Sequence, residues 1–113
     1  MLQGIYTVAF QSSLATVGEG FAVFDACGVH GANENHIFRG LQIGDGEALR
    51  LTVEIRHLSG EKYPSFGPLE AINLDLEVTE ITPEGFRAVG GIREAKGIRL
   101  NVVGKKLSDL AAE

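Results

Sequence analysis

The sequence predicts an all-β protein: eight short antiparallel strands in an up-and-down meander that closes into a barrel. Three observations carry this. Leu49, Leu51, Val53, Ile55 and His57 alternate with Arg50, Thr52, Glu54 and Arg56, the pattern of a strand with one face covered and the other in water. The pattern returns at Ile72, Leu74, Leu76 and Val78, set against Asn73, Asp75, Glu77 and Thr79. No useful length of chain carries the period of an amphipathic helix, so the apolar faces must be covered by further strands.

In chain order, Gly4 to Gln11 contains Ile5, Tyr6, Val8 and Phe10 and reads as a first strand, rich in β-branched and aromatic residues. A second runs from Val17 to Asp25, with Phe21, Val23 and Phe24 as core candidates and Gly18 and Gly20 where the strand bends or a neighbour comes close. Ala26-Cys27-Gly28 is a tight connection into a short third strand, Val29 to Ala32. Asn33-Glu34-Asn35 is turn chemistry. The fourth strand, His36 to Ile43, meets Gly44-Asp45-Gly46-Glu47, a hairpin signal that sets it antiparallel to Leu49–His57. Ser59 to Pro68, with two glycines and two prolines, is the longest loop.

After the sixth strand, Thr82-Pro83-Glu84-Gly85 forms a turn. Phe86 to Ile92 is the seventh strand, Arg93 to Gly97 a turn, and Ile98 to Val103 the eighth. Leu107 to Ala112 is expected to form one helical turn or to fray. A meander of this size exposes two edges unless it closes, and closure is the usual solution at eight strands. A two-sheet sandwich satisfies the same alternation.

At 113 residues, 44% of them hydrophobic, one core and a single domain over 1–113 are expected. The 15 glycines are roughly twice the usual share of about 7% and fall inside strand-like segments, which suggests bends and bulges. The formal charge is −5, and the basic residues are scattered apart from Lys105-Lys106, which speaks against a nucleic-acid partner. The start has no signal-like pattern and nothing has the length of a membrane span. With the single cysteine, Cys27, this points to the cytoplasm.

Candidate chemistry is sparse. His30, His36 and His57, with Cys27, do not present a four-ligand zinc spacing, so neither a metal nor a cofactor is expected. His57 ends an apolar face, either as a polar group orienting a ligand or as a satisfied histidine at the core edge. No nucleophile signature is present. Gly18-Glu19-Gly20 lacks the strand–loop–helix setting and the third glycine of a phosphate loop. Asp75 with Glu77, or Glu77 with Glu80, sit where solvated carboxylates on a polar face ordinarily sit. No catalytic residue is expected, and the chain reads as a non-enzyme.

Gly4-Ile5-Tyr6, Gly18-Glu19-Gly20, Val29-His30-Gly31, Phe38-Arg39-Gly40 and the alternating Leu49–His57 strand follow one another in an order that resembles the GrlR-like family. These are small bacterial proteins named after a negative regulator of type III secretion. The resemblance covers most of residues 2–105. It implies a lipocalin-like, calycin-type barrel with an apolar interior, a homodimer, and binding to a transcriptional activator. The family's regulator has four alternating acidic residues in the turn before the central strand. Here that stretch is Gly44-Asp45-Gly46-Glu47, so only Asp45 and Glu47 carry over as partner-binding residues.

The expected function is therefore a regulatory protein that binds a protein partner. The alternative is a carrier or sensor of a small apolar, lipid-like ligand inside the barrel. Its interior candidates are Tyr6, Leu51, Val53, Ile55, His57, Leu74, Leu76 and Leu100. Tyr6, Phe10, Phe21, Phe24, Phe38 and Phe86 are more aromatics than one small core readily hides. Some are thus expected outside, marking a homodimer contact near Val29 to Ala32.

Overall fold

The computed structural model describes residues 2–13, 17–44, 48–61 and 69–111, and among these there is no α-helix. The strands are β1 (Gly4–Ser12), β2 (Val17–Asp25), β3 (Gly28–Ala32), β4 (His36–Ile43), β5 (Arg50–His57), β6 (Ala71–Thr82), β7 (Gly85–Ile92) and β8 (Ala95–Ser108). Each pairs antiparallel with the next, and β8 pairs with β1 to close the barrel. Closure satisfies every strand edge within the chain. The architecture is that of a lipocalin-like barrel.

Register follows from alternation. Leu51 faces Leu76, Val53 faces Leu74 and Ile55 faces Ile72 on the inside. The intervening row, Arg50 with Glu77, Thr52 with Asp75 and Glu54 with Asn73, lies outside. Shifting this pairing by one residue would expose every one of those leucines and isoleucines, so burial fixes the register.

The interior holds two aromatic layers. Tyr6, Phe24 and Phe86 meet edge to face, their ring centroids 5.1–5.5 Å apart. Phe10 and Phe38 meet at 5.3 Å toward the other end. Glycines make the room. Gly104 lies opposite Phe86, and a Cβ there would fall inside the contact distance of that ring. A Cβ at Gly20 would come within 2.8 Å of Phe38. Small residues opposite large ones let eight strands pack a filled core at native density.

Phe21 and Val23, expected in the core, point outward instead. Phe21 is 60% exposed, while Ala22 and Phe24 are buried. The inward row of β2 is Gly18, Gly20, Ala22 and Phe24, because these face Phe10, Val8, Tyr6 and Gly4 of β1. The eighth strand is also longer than expected. It begins at Ala95, inside the anticipated turn, and runs to Ser108, so Leu107 and Ser108 are strand where one helical turn or fraying was expected over Leu107 to Ala112. Residues 109–111 are not helical, and Ala112 lies outside the described residues. Pairing with β1 holds Leu100–Ser108 extended on one side, and on the other β7 pairs with Ala95 and, beyond a register shift, with Arg99–Lys105. β6 likewise continues to Thr82, past a register shift between Val78 and Glu80.

The two ends differ. At one, buried Leu2 seals the barrel. Its backbone N–H donates to Gln42 Oε1 at 2.7 Å and its carbonyl accepts from Gln42 Nε2 at 2.8 Å, so a buried amide finds both partners. At the other end stand His36 and His57.

Candidate functional site

Three places can bind something: the interior, the histidine end and the outer wall. Of the interior candidates, Tyr6, Leu51, Val53, Ile55, Leu74, Leu76 and Leu100 are all at most 5% exposed. They fill the space they surround. The cavity left between Val8, Phe10, Phe24, Phe38, Leu51, Val53 and their neighbours is about 20 Å³. Small-molecule sites usually offer roughly 300–1,000 Å³. The space is that of a single water and its walls are apolar, the kind of void that stays dry.

His57 is the exception among the interior candidates, half-buried at the barrel's end. Its Nδ1 lies 2.9 Å from Glu70 Oε2 and its Nε2 lies 2.8 Å from the Gly60 carbonyl. Both ring nitrogens are thus committed within the chain. Its cross-strand partner His36 is buried, with the two rings 5.5 Å apart. Burial, and then the neighbouring His57, push the His36 pKa below the usual histidine value, in favour of the neutral imidazole. His30 is elsewhere, 3.7 Å from Asp25 on the outer wall. Cys27 is exposed in the turn after Ala26, whose φ is +31°. The three histidines and the cysteine are therefore not one cluster. Among the described residues, no group of three or more His, Cys, Asp or Glu could hold a metal.

Large exposed hydrophobics stand on both sides of the outer wall, Leu41, Ile43 and Ile81 on β4 and β6 and Phe21, Val103 and Leu107 on β2 and β8, and the ion pairs distinguish one side of this wall. Across β4 to β7 it is laced with exposed ion pairs: Arg39–Glu54 at 3.6 Å, Arg56–Glu54 at 3.3 Å, Arg87–Glu80 at 3.6 Å and Arg93–Asp75 at 2.7 Å. Such pairs each contribute little to stability, but they make the surface costly to desolvate. Around β8, β1 and β2 the wall is different. Register aligns Thr7, Phe21, Ala32 and Ile37 in one row, with Ile5 and Val23 below and Ala9 and Val103 above.

Beside Phe21 the wall is hollow. Thr7 and Ala9 bring little side chain to fill it, and Gly20, Val103, Glu19 and Asn33 are among the lining of a groove of about 620 Å³. Asn33 Nδ2 donates to the Glu19 carbonyl at 3.0 Å and fixes that rim. A knob and a hollow thus lie next to one another, with Lys105 beside Thr7 and Glu19 beside Ala9 as the charges in the adjoining cross-strand positions. Lys105 flanks one side, opposite Thr7, and Glu19 and Glu34 flank the other.

Compared with known proteins, the chain matches no family model and no curated protein. Asp45 and Glu47, the residues carried over from the resemblance, lie outside the described residues; Gly44 before them has a φ of +82°. No helix among the described residues is long and apolar enough to cross a membrane.

Proposed function

We propose that the protein is a non-catalytic binding protein that acts from its outer wall as a homodimer, the β8–β1–β2 face of one copy seated on that of the other. The observation that carries this is the exposed Phe21 beside its own hollow. In a two-fold contact each surface must complement itself, and here the knob of one copy fits the hollow of the other. Lys105 on one flank and Glu19 and Glu34 on the other offer opposite charges to such a contact. A chain with net charge −5 also self-associates with least repulsion through the face that carries fewest charges.

The filled interior weighs against a carrier of apolar ligands. In keeping with the resemblance to the GrlR-like negative regulators, the dimer serves as a cytoplasmic regulatory protein. Its charged β4–β7 walls remain free for a protein partner such as a transcriptional activator, and Asp45 and Glu47, outside the described residues, are the positions the resemblance carries over for that contact.

Sedimentation equilibrium at micromolar concentration tests the dimer. The expected mass is twice the 12.1 kDa of the chain. Phe21→Glu should yield a folded monomer, and Ile43→Glu, on the outer wall of β4, should stay dimeric. A wild-type monomer, or equal effects of the two substitutions, contradicts the proposal.

A further inference from the structure

Between Gly91↔Arg99 and Ile92↔Ala95 the β7 strand advances one residue while β8 advances four. Lys96, Gly97 and Ile98 therefore stand outside the ladder as a bulge, bent at Gly97, whose φ is +97°. On the outside of the barrel the cross-strand row at this level is Asp75, Gly91 and Arg99. Gly91 has no side chain to fill its place in that row. The result is a notch of about 400 Å³ with Gly91 at its floor and Arg93, Lys96 and Arg99 among its lining residues.

Its charges are unbalanced. Asp75 is the one carboxylate in the lining, and both its oxygens are taken by Arg93, at 2.7 and 3.1 Å. That contact orients the guanidinium and leaves three of its five N–H donors unspent. Glu94, next in sequence, is turned to β6: Oε1 accepts from the Asn73 backbone N–H at 2.7 Å and Oε2 from Asn73 Nδ2 at 2.6 Å. Lys96 and Arg99 have no carboxylate within ion-pair distance among the described residues. Two free cations and a pre-oriented third, gathered around a glycine floor, make a local positive site on an acidic protein.

We infer that this notch between β7 and β8 binds a phosphate dianion, either free phosphate or the phosphate group of a small monoester, through Arg93, Lys96 and Arg99. Guanidinium forks match phosphate oxygens in pairs, and the lysine adds a point charge. A carboxylate of single charge uses the same donors less fully. The site is independent of the proposed dimer, whose groove is lined by other residues.

The test is a ¹⁵N-correlation titration of the full chain with inorganic phosphate, and separately with phenyl phosphate, at ionic strength matched with sodium chloride. Saturable shifts should be confined to the amides of Gly91, Arg93, Lys96, Gly97 and Arg99. Tighter binding of phenyl phosphate identifies a monoester as the ligand class, and equal binding identifies free phosphate. Arg99→Gln, on an exposed position, should weaken binding about tenfold, the loss of one charge-assisted hydrogen bond. Gly91→Leu should abolish it by filling the notch, since the nearest atom to a Cβ at 91 is the Ile98 carbonyl oxygen at 3.3 Å. Unchanged dispersion elsewhere in the spectrum reports that each variant folds; should Gly91→Leu fail this, Lys96→Gln replaces it, with the same expected weakening as Arg99→Gln. Non-saturating shifts, shifts shared equally by Lys105 and Arg87, or phosphate binding unaltered in Arg99→Gln overturns the proposal.

Discussion

Gly104 and Phe86 occupy one cross-strand level inside the barrel, and the ring lies where a β-carbon at 104 would be. Phe86 cannot retreat, because Tyr6 and Phe24 hold its other sides at 5.5 and 5.4 Å. Gly104→Ala should therefore cost about 1–3 kcal/mol through overpacking. Gly91→Ala, whose β-carbon would meet the Ile98 carbonyl oxygen at 3.3 Å and nothing closer, should cost less than Gly104→Ala. Urea unfolding midpoints of the two variants check the contrast, and equal midpoints would show that Phe86 repacks freely. The pairing also explains why the sequence alone suggested too many aromatics for one core. Counting aromatics ignores the glycines opposite them; of the six named, Phe21 is the one that is largely exposed, at 60%.

At the scale of elements, strands whose inner row is large and apolar were legible from sequence. β5 and β6 show this, with Leu51, Val53, Ile55, Leu74 and Leu76 in strict alternation. β2 was legible as a strand but not in its facing. Its inner row is Gly18, Gly20, Ala22 and Phe24, small residues chosen by what lies opposite, and local hydrophobicity therefore favours Phe21 and Val23. β8 was foreshortened for a related reason. Gly97 and the charged residues around it resemble a turn, and Lys96, Gly97 and Ile98 do stand outside the ladder, but Ala95 pairs with Ile92 before them and Arg99 resumes the pairing with β7 after them.

The turn between β7 and β8 is also fastened back to β6 by Arg93 on Asp75. The Arg93 hydrogen bond holds the Asp75 pKa below the usual carboxylate value. A carboxylate with a depressed folded pKa contributes stability that is present above its unfolded value, near 3.9, and is lost as pH falls through the folded one. Arg93→Gln should thus lower the thermal midpoint slightly at pH 7, and that deficit should shrink as pH falls below the unfolded carboxylate value, near 3.9. A deficit that persists in acid would mean that Arg93 acts through packing and not through its pair with Asp75.

For the whole molecule, the closed barrel followed from the number of strands and the turns between them, while the candidate site did not. Thr7, Ala9, Phe21 and Val103 are scattered through sequence and unremarkable singly. Only the register of β8 on β1 and β1 on β2 makes them one surface. The same closure turns the large apolar residues inward, and among the described residues the cavity between Phe10, Phe24, Phe38 and Leu51 is only about 20 Å³. The account therefore separates an inside that supports the fold from an outside that binds. Methyl-resolved NMR of the full chain, recorded over a range of protein concentrations and again with an added fatty acid, tests that separation directly. Methyls of Ile5, Ala9, Val23, Ala32 and Val103 should shift with concentration, while those of Leu51, Val53, Leu74 and Leu76 stay in place under both treatments. Interior methyls that move on addition of the fatty acid, with the outer set unaffected by concentration, would contradict the account.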